Sequence, residues 1–252
     1  MSQTSQTALL ILGHGSSKHP DSSKSVRRHA EVLCERGDFA EVHCAFLKEE
    51  PFIEDALERI GAEKVCIVPD FLAEGYFTRQ VIPTKLNLAG RDGSVRYTPP
   101  VGGHPLMVEM LQEAAEEVLG DWGMADTSLL VIGHGSTKSS CSRQTLKTHL
   151  AELRKDGGWA QTEDLWLEEA PMVSDWADVA SQERVVIIPF LLNDGQHGGW
   201  DIPEDLGIQK GSDIHGVTHH LKGHELRLTP ALGTSDRFAD VIAAIASIWG
   251  GE

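Results

Sequence analysis

The sequence of this chain repeats at an offset of 120 residues, and this duplication constrains the fold more than any other feature. Residues 10–16 read LILGHGS, and residues 130–136 read LVIGHGS. The same offset aligns residues 65–83 with residues 185–203, including the runs VCIVP and VVIIP. Because both halves carry the same motifs in the same order, each half is expected to form the same kind of unit.

The second half contains an insertion. The motif at residues 98–102 recurs at residues 229–233, an offset of 131, and 131 − 120 leaves eleven additional residues. These fall near residues 211–224. We therefore predict an N-terminal lobe over residues 1–122 and a C-terminal lobe over residues 123–252, the latter carrying the insertion.

Histidine is concentrated in the insertion. It contains four of the 12 histidines of the chain, namely His215, His219, His220 and His224. On a helix, the i,i+4 spacing of two pairs would allow each pair to chelate a metal ion. In a loop, the same residues would form a looser metal-collecting tract or an ordinary polar surface.

Apolar runs of strand length alternate with amphipathic stretches in both halves, which predicts parallel strands joined by crossover helices. Strands are predicted near 8–13, 40–46, 64–69 and 94–98, and near 128–133, 162–167, 184–189 and 225–229. Helices are predicted near 22–36, 51–60 and 104–119, and near 141–155, 171–180 and 235–249. The predicted fold class is therefore α/β, with two duplicated, doubly wound parallel-sheet lobes.

Histidines follow the first predicted strand of each half. His14 and His134 each precede a Gly-Ser pair and a helix, so both imidazoles are expected at the carboxyl ends of the strands, where such sheets bind ligands. A structural turn is the alternative role for each of them. Ser16 and Ser136 are read as helix caps or ligand contacts, because no Gly-x-Ser-x-Gly motif surrounds them.

A third histidine, His197, follows another strand of the second half and lies among three glycines. A loop with so few packing residues favours a ligand-facing imidazole over a structural one. The strands before His134 and His197 can bring both side chains together as two neutral nitrogen donors for a divalent metal. The first half has Phe77 at the position of His197, so it lacks the pair.

Composition excludes several classes of partner. Lys and Arg number 22 and Asp and Glu 38, and the net charge of −16 opposes binding to nucleic acids or anionic lipids. The apolar run at residues 241–249 is far shorter than the ~20 residues that span a bilayer. We expect no targeting segment and no membrane association. The four cysteines lack metal-ligand spacing, which indicates reduced thiols and a cytoplasmic location.

These motifs resemble the class II tetrapyrrole chelatases, in particular the sirohydrochlorin cobaltochelatase and ferrochelatase group. The resemblance spans essentially the whole chain and rests on His134-Gly135-Ser136, Pro189-Phe190-Leu191-Leu192, Gly195-Gln196-His197 and Asp201-Ile202-Pro203, with His14-Gly15-Ser16 as an echo. It implies two α/β lobes with a cleft between them. It also implies insertion of a divalent metal into a modified tetrapyrrole, in cobalamin or siroheme biosynthesis, with the metal as substrate and without a prosthetic group.

The resemblance also assigns site residues. His134 and His197 match the two metal-handling histidines, and Glu74 is expected to assist as a carboxylate or to be a solvated loop acid. The tetrapyrrole carries many carboxylates, for which arginine and lysine are suitable partners. The expected substrate-binding residues are His14, Ser16, Ser136, Lys138, Arg143 and Arg79. The candidates for an apolar wall are Phe71, Tyr76, Phe77, Phe190 and Trp200.

Three functions remain open at this point. The leading hypothesis is insertion of Co²⁺, or alternatively Fe²⁺, into sirohydrochlorin or a related precorrin, by a protein that works as a monomer. The second is a degenerate chelatase that binds metal or tetrapyrrole without turnover, which the loss of histidine at Phe77 favours. The third, a phosphoryl-transfer or hydrolytic enzyme that uses His14 or His134, lacks any Walker-type loop or acidic metal triad.

Overall fold

The structure is a computed structural model, and it describes residues 6–18, 20–137, 139–209 and 213–247. The chain divides into two compact units. Unit 1 contains the described residues up to His104 and those from Asp236 onward, and unit 2 comprises Pro105–Ser235. Unit 1 therefore contains the last helix of the second sequence half, 123–252, and unit 2 contains the last helix of the first half, 1–122.

Unit 1 is built around a four-stranded parallel sheet in the order β2-β1-β3-β4. Its strands are β1 (Thr7–Gly13), β2 (Val42–Phe46), β3 (Lys64–Pro69) and β4 (Val95–Tyr97). Its helices are α1 (Lys24–Arg36), the short α2 (Ile82–Lys85) and, from the end of the chain, α7 (Phe238–Ser247). Both β3 and α1 pack against α7.

Unit 2 repeats this plan with one strand more, in the order β6-β5-β7-β9-β8. Its strands are β5 (Thr127–Gly133), β6 (Gln161–Trp166), β7 (Arg184–Pro189), β8 (His219–Leu221) and β9 (His224–Leu228). Its helices are α3 (Leu106–Leu119), α4 (Cys141–Asp156), α5 (Trp176–Val179) and α6 (Ile202–Leu206). Only β8 is antiparallel to its neighbour.

The central strands are aliphatic on both faces because helices cover the sheets from both sides. Residues 8–12 of β1 and residues 129–132 of β5 are completely buried. Next to β1 lies β3, and the connections of these two strands leave the sheet in opposite directions; β5 and β7 are arranged in the same way. Such a reversal opens a crevice at the carboxyl ends of the two strands. No helix in the described part of the chain is long and apolar enough to cross a bilayer.

The eight predicted strands are present, whereas the helix predicted near 51–60 is wrong and the helix predicted near 171–180 is only partly α-helical. Residues 51–60 form two single turns of 3₁₀ helix, Ile53–Asp55 and Leu57–Arg59, and residues 171–180 form one such turn, Val173–Asp175, followed by α5. The buried residues explain the difference. Ile53 and Ala56 are both buried, as are Val173 and Trp176, and this i,i+3 spacing matches the three-residue period of a 3₁₀ helix.

The histidine-rich insertion forms a hairpin, so the interpretation of its histidine pairs as helical chelates is wrong. Leu221 pairs with His224 across a two-residue turn, in which Lys222 has φ 49° and Gly223 has φ 84°. Positive φ at both positions is typical of a type I′ turn, which fits the twist of two antiparallel strands. Residues 211 and 212 lie outside the described residues.

Candidate metal-handling site

The imidazoles of His134 and His197 meet at the carboxyl ends of β5 and β7. Their ring centroids are 5.0 Å apart, and the ring planes are at 89°. The two residues are far apart in the sequence, and they meet because β5 and β7 are neighbours in the sheet. His134 directly follows β5, and His197 opens a π-helical turn, His197–Asp201, beyond β7.

Hydrogen bonds determine which nitrogen of each ring is available to a ligand. Nδ1 of His134 lies 3.2 Å from the carbonyl oxygen of Gly135, and Nδ1 of His197 lies 2.7 Å from Oδ2 of Asp201. Carbonyl and carboxylate oxygens accept hydrogen bonds, so each Nδ1–H donates and each Nε2 keeps its lone pair. Both side chains are close to half exposed. The pair therefore offers two accessible nitrogen donors.

The geometry of the two rings suits a shared metal ion. Two imidazoles bound to one metal at about 2.1 Å have centroids roughly 5 Å apart, the separation found here. Within the described residues, no group of three or more His, Cys, Asp or Glu side chains is placed to hold a metal ion. The donor set is therefore small, and it leaves most coordination positions of a bound ion open.

A carboxylate that the sequence analysis did not select lies beside this pair. Oε1 of Glu168 is 3.8 Å from Nδ1 of His134, and the backbone N–H of Glu168 donates to the carbonyl oxygen of His134 over 3.1 Å. Half of the Glu168 side chain is exposed. In the sequence, Glu168 stands out only as a difference between the halves, because the first half has Lys48 at the equivalent position.

Hydrogen bonds to the carboxylate of Glu169 hold the turn after His134. The backbone N–H of Ser136 donates to Glu169 over 3.4 Å, and Arg143 donates from Nε to the same carboxylate over 2.9 Å. The Arg143 guanidinium also lies 4.8 Å from the ring centroid of Trp166. Arg143, which was expected to contact substrate, is thus engaged with the protein itself. Ser136 does not cap α4, because Ser140 occupies the cap position.

Unit 1 contains the same arrangement with one ring changed. Nδ1 of His14 donates to the carbonyl oxygen of Gly15 over 2.8 Å, and the ring packs edge-on against Phe77 at a centroid distance of 5.0 Å. The backbone N–H of Ser16 donates to Glu49 over 3.0 Å, as Ser136 does to Glu169. Ser16 does not cap α1 either, because Ser23 occupies that position. This copy has one imidazole and a phenyl ring.

The remaining predicted site residues lie in unit 1, in unit 2 or outside the described residues. Glu74 accepts a hydrogen bond from Nε of Arg79 over 2.8 Å, so these two residues of unit 1 pair with each other. Lys138 lies outside the described residues. Tyr76 is 67% exposed and Trp200 is 63% exposed, which is unusual for such large rings.

Comparisons with known proteins agree with the duplicated architecture. The CbiX family model matches the chain twice, at residues 8–118 and 128–247. A curated relative from Halobacterium salinarum, named probable sirohydrochlorin cobaltochelatase, is 34% identical over 93% of this chain and 89% of its own length.

Solved structures show the same fold. A multi-domain protein from Deinococcus radiodurans, described as structurally similar to chelatases, superposes with a TM-score of 0.82 at 26% identity over 97% of this chain. This chain spans 55% of the length of that protein. SirB from Bacillus subtilis, solved with Fe³⁺, superposes with a TM-score of 0.78 at 18% identity over 98% of both chains. With both halves matched by the same family model, the chain belongs to the CbiX family.

Proposed function

We propose that this chain is a tetrapyrrole metal chelatase that inserts Co²⁺, in preference to Fe²⁺, into sirohydrochlorin or a closely related precorrin. The observation that carries the proposal is the meeting of His134 and His197, each with Nε2 available, at the carboxyl ends of neighbouring strands. The name of the Halobacterium salinarum relative supports this substrate and the choice of cobalt.

Metal insertion requires a site that binds the ion and then releases it. The macrocycle loses two pyrrole protons, the ion loses bound water, and the ring nitrogens replace the protein ligands. Two imidazoles hold a divalent ion more weakly than the four ligands of a structural site, and they leave positions open for the incoming nitrogens. The two Nε2 atoms of this pair meet both requirements.

The released protons need acceptors beside the metal. Glu168 is suitable because its carboxylate is half exposed and lies 3.8 Å from the His134 ring. An imidazole that holds the metal through Nε2 is not available as a base at that nitrogen, whereas the carboxylate is. We therefore assign Glu168 the role of proton acceptor, next to the ligand pair.

The experiment measures metal insertion directly. Purified protein is mixed under anaerobic conditions with sirohydrochlorin and Co²⁺, and the absorbance of the macrocycle is followed. Wild type should accelerate insertion over the spontaneous reaction, and His134→Ala and His197→Ala should each lower the rate about 100-fold or more. His14→Ala should have a smaller effect. Circular dichroism checks that the variants are folded.

The same assay tests the competing function. Unit 1 lacks the second imidazole, since Phe77 packs against His14, and this favours a degenerate chelatase that binds without turnover. Wild type that binds sirohydrochlorin and Co²⁺ without accelerating their reaction would support that alternative. Faster insertion of Fe²⁺ than of Co²⁺ would overturn the choice of metal alone. Because one chain carries both repeats, we also propose that the monomer is active, which light scattering under assay conditions checks.

A further inference from the structure

Three positions around the histidine turn differ together between the two units. At the offset of 120 residues they are, in unit 1 and unit 2 respectively, Phe77 and His197, Val81 and Asp201, and Lys48 and Glu168. In unit 2, each residue attracts a cation or orients a group that does. In unit 1, each is apolar or positively charged. At these three positions, unit 1 therefore has no group that attracts a metal ion.

The shape of this part of unit 1 is nevertheless the same. Residues Phe77–Val81 form a π-helical turn like that of His197–Asp201. The Phe77 ring meets the His14 ring at 5.0 Å and 83°, close to the 5.0 Å and 89° of the His134 and His197 rings. The two units therefore share the turn and the contact between the rings, and they differ in the side chains at these positions.

The exposed chemistry of this surface indicates its ligand. Tyr76 is 67% exposed and Phe77 37% exposed, and their rings meet edge to face at a centroid distance of 5.9 Å, so both present aromatic surface to a ligand. Lys48 is exposed. It follows Leu47, whose backbone N–H donates to the carbonyl oxygen of Gly13, the residue before His14. Among the described residues, no carboxylate pairs with Lys48.

We propose that His14, Lys48, Tyr76 and Phe77, which we call the first strand edge, form a metal-independent subsite for the carboxylate-bearing tetrapyrrole. This inference rests on the proposed function and divides it between the two units: the first strand edge binds the macrocycle, and the pair in unit 2 handles the cation. A flat conjugated ring stacks on exposed aromatic side chains, and its rim carboxylates pair with an ammonium group. The positive charge of Lys48 repels a free metal ion.

The test is equilibrium binding of metal-free sirohydrochlorin in the presence of EDTA, followed by its absorbance. Lys48→Glu and Tyr76→Ser should each raise Kd about tenfold or more relative to wild type. Both side chains are exposed, so neither change removes a buried contact. Lys64→Glu is the matched control, because Lys64 is exposed at the opposite, amino end of β3 and the charge change is the same. It should leave Kd within about twofold.

Each outcome separates this subsite from the proposed function. Wild-type affinity in both Lys48→Glu and Tyr76→Ser, with wild type still inserting metal, overturns the subsite and leaves the chelatase intact. A wild-type protein that binds no sirohydrochlorin overturns both. An equal loss of affinity in Lys64→Glu and Lys48→Glu would show that the effect of Lys48→Glu comes from the change in net charge. That result also overturns the subsite.

A second measurement tests the separation of metal from macrocycle. Co²⁺ is titrated against protein without tetrapyrrole, and the cobalt absorption bands report bound ion. Wild type should bind one Co²⁺ per chain, at His134 and His197. The variant Lys48→Glu/Phe77→His/Val81→Asp should bind two, because it recreates in unit 1 the groups present in unit 2. One ion bound by the triple variant would show that these three positions do not separate the roles of the units.

Discussion

At the scale of single residues, Asp201 determines which nitrogen of His197 keeps a free lone pair. Its carboxylate accepts the Nδ1–H over 2.7 Å, which fixes the ring and leaves Nε2 as the donor. Carboxylates that orient metal-binding histidines commonly contribute 10- to 100-fold, by order of magnitude, to affinity or activity. The first half lacks both members of this pair, having Phe77 and Val81 in their place.

We predict that Asp201→Val, which introduces the residue found in the first half, lowers Co²⁺ affinity and insertion rate about 10- to 100-fold. Asp201→Asn should lose less, because its amide oxygen still accepts the Nδ1–H. Cobalt titration and the absorbance assay measure the two quantities. Wild-type affinity in Asp201→Val would show that His197 is oriented by other contacts.

Gly233 packs against the backbone of the loop between β7 and His197. A Cβ at this position would lie 2.4 Å from the backbone oxygen of Leu192, and the Gly233 N–H donates to the Leu191 oxygen over 2.9 Å. Gly102 packs against Leu72 in the same way in unit 1. Because backbone atoms, unlike the end of a flexible side chain, cannot swing away, no side chain fits at either position.

Gly233→Ala should therefore destabilise unit 2 by about 3 kcal/mol and displace the loop that carries His197, so that insertion slows as well. Urea unfolding and the insertion assay measure these effects. Gly103→Ala is the control, because a Cβ there has no atom within 4 Å, and it should change stability by less than about 0.5 kcal/mol. Equal effects of the two substitutions would contradict this account.

The meeting of His134 and His197 could be predicted from the sequence, whereas the contacts of Glu168 and Asp201 with them could not. His134 and His197 follow apolar strands, and neighbouring parallel strands bring such residues together. Glu168 and Asp201 could not be predicted, because each acts through a contact that exists only in the folded chain: Glu168 lies 3.8 Å from the His134 ring, and Asp201 accepts a hydrogen bond from His197. The link between His197 and Asp201 also depends on the π-helical turn, which no sequence pattern indicated.

At the scale of elements, the central strands β1, β3, β5 and β7 were predictable because each contains a continuous apolar run, while the hairpin was not. The four histidines of the insertion suggested metal chemistry, yet in the structure His219 and His224 hydrogen-bond to backbone oxygens. Nε2 of His219 donates to the oxygen of Ile214 over 3.2 Å, and Nδ1 of His224 donates to that of Gln182 over 2.9 Å. These bonds depend on strand pairing across the turn at residues 222 and 223, which local periodicity does not contain.

His215 makes the attachment of this insertion sensitive to pH. Burial lowers the pKa of its imidazole, and this effect outweighs the attraction of Asp194, which raises it. Its Nε2 is buried without a hydrogen-bond partner among the described residues. The fold therefore favours neutral His215, and its contribution to stability is present above the ordinary pKa of about 6.5 and is lost as the pH falls through the lowered value.

We predict that the stability difference between wild type and His215→Gln shifts against wild type between pH 7.5 and pH 5. The glutamine does not titrate, so the comparison cancels the contribution of the other histidines. Urea unfolding at both pH values gives the two differences. An identical difference at the two pH values would mean that His215 does not resist protonation in the folded protein.

At the scale of the whole molecule, the boundaries of the sequence repeats differ from the boundaries of the compact units. Helix α3 ends the first repeat but packs against β7 and α4 of unit 2, and α7 ends the second repeat but packs against α1 and β3 of unit 1. Ion pairs of Arg28 with Asp236 and of Arg36 with Asp240 also hold the end of the chain to unit 1. Duplication of the motifs could be recognised from the sequence, but this exchange could not, because both helices are equally amphipathic.

We predict that a fragment of residues 105–235 folds cooperatively, whereas a fragment of residues 123–235 does not. The shorter fragment lacks α3, which buries Met107, Met110, Leu111 and Ala115. Each of the three larger side chains contributes about 1.5 to 3 kcal/mol, which together is comparable with the whole stability of a domain. Circular dichroism during thermal unfolding distinguishes the two. Cooperative melting of both fragments would mean that α3 is dispensable for unit 2.

The exchanged helices also set an order of events during synthesis. Residues 105–235 are contiguous, so unit 2 has all of its parts as soon as Ser235 has been made. Unit 1 begins with β1 but remains incomplete until α7, which is synthesised after every other described element. The sheet at the start of the chain must therefore wait, with the surface that α7 will cover still open to water or to a chaperone, while the later half closes first.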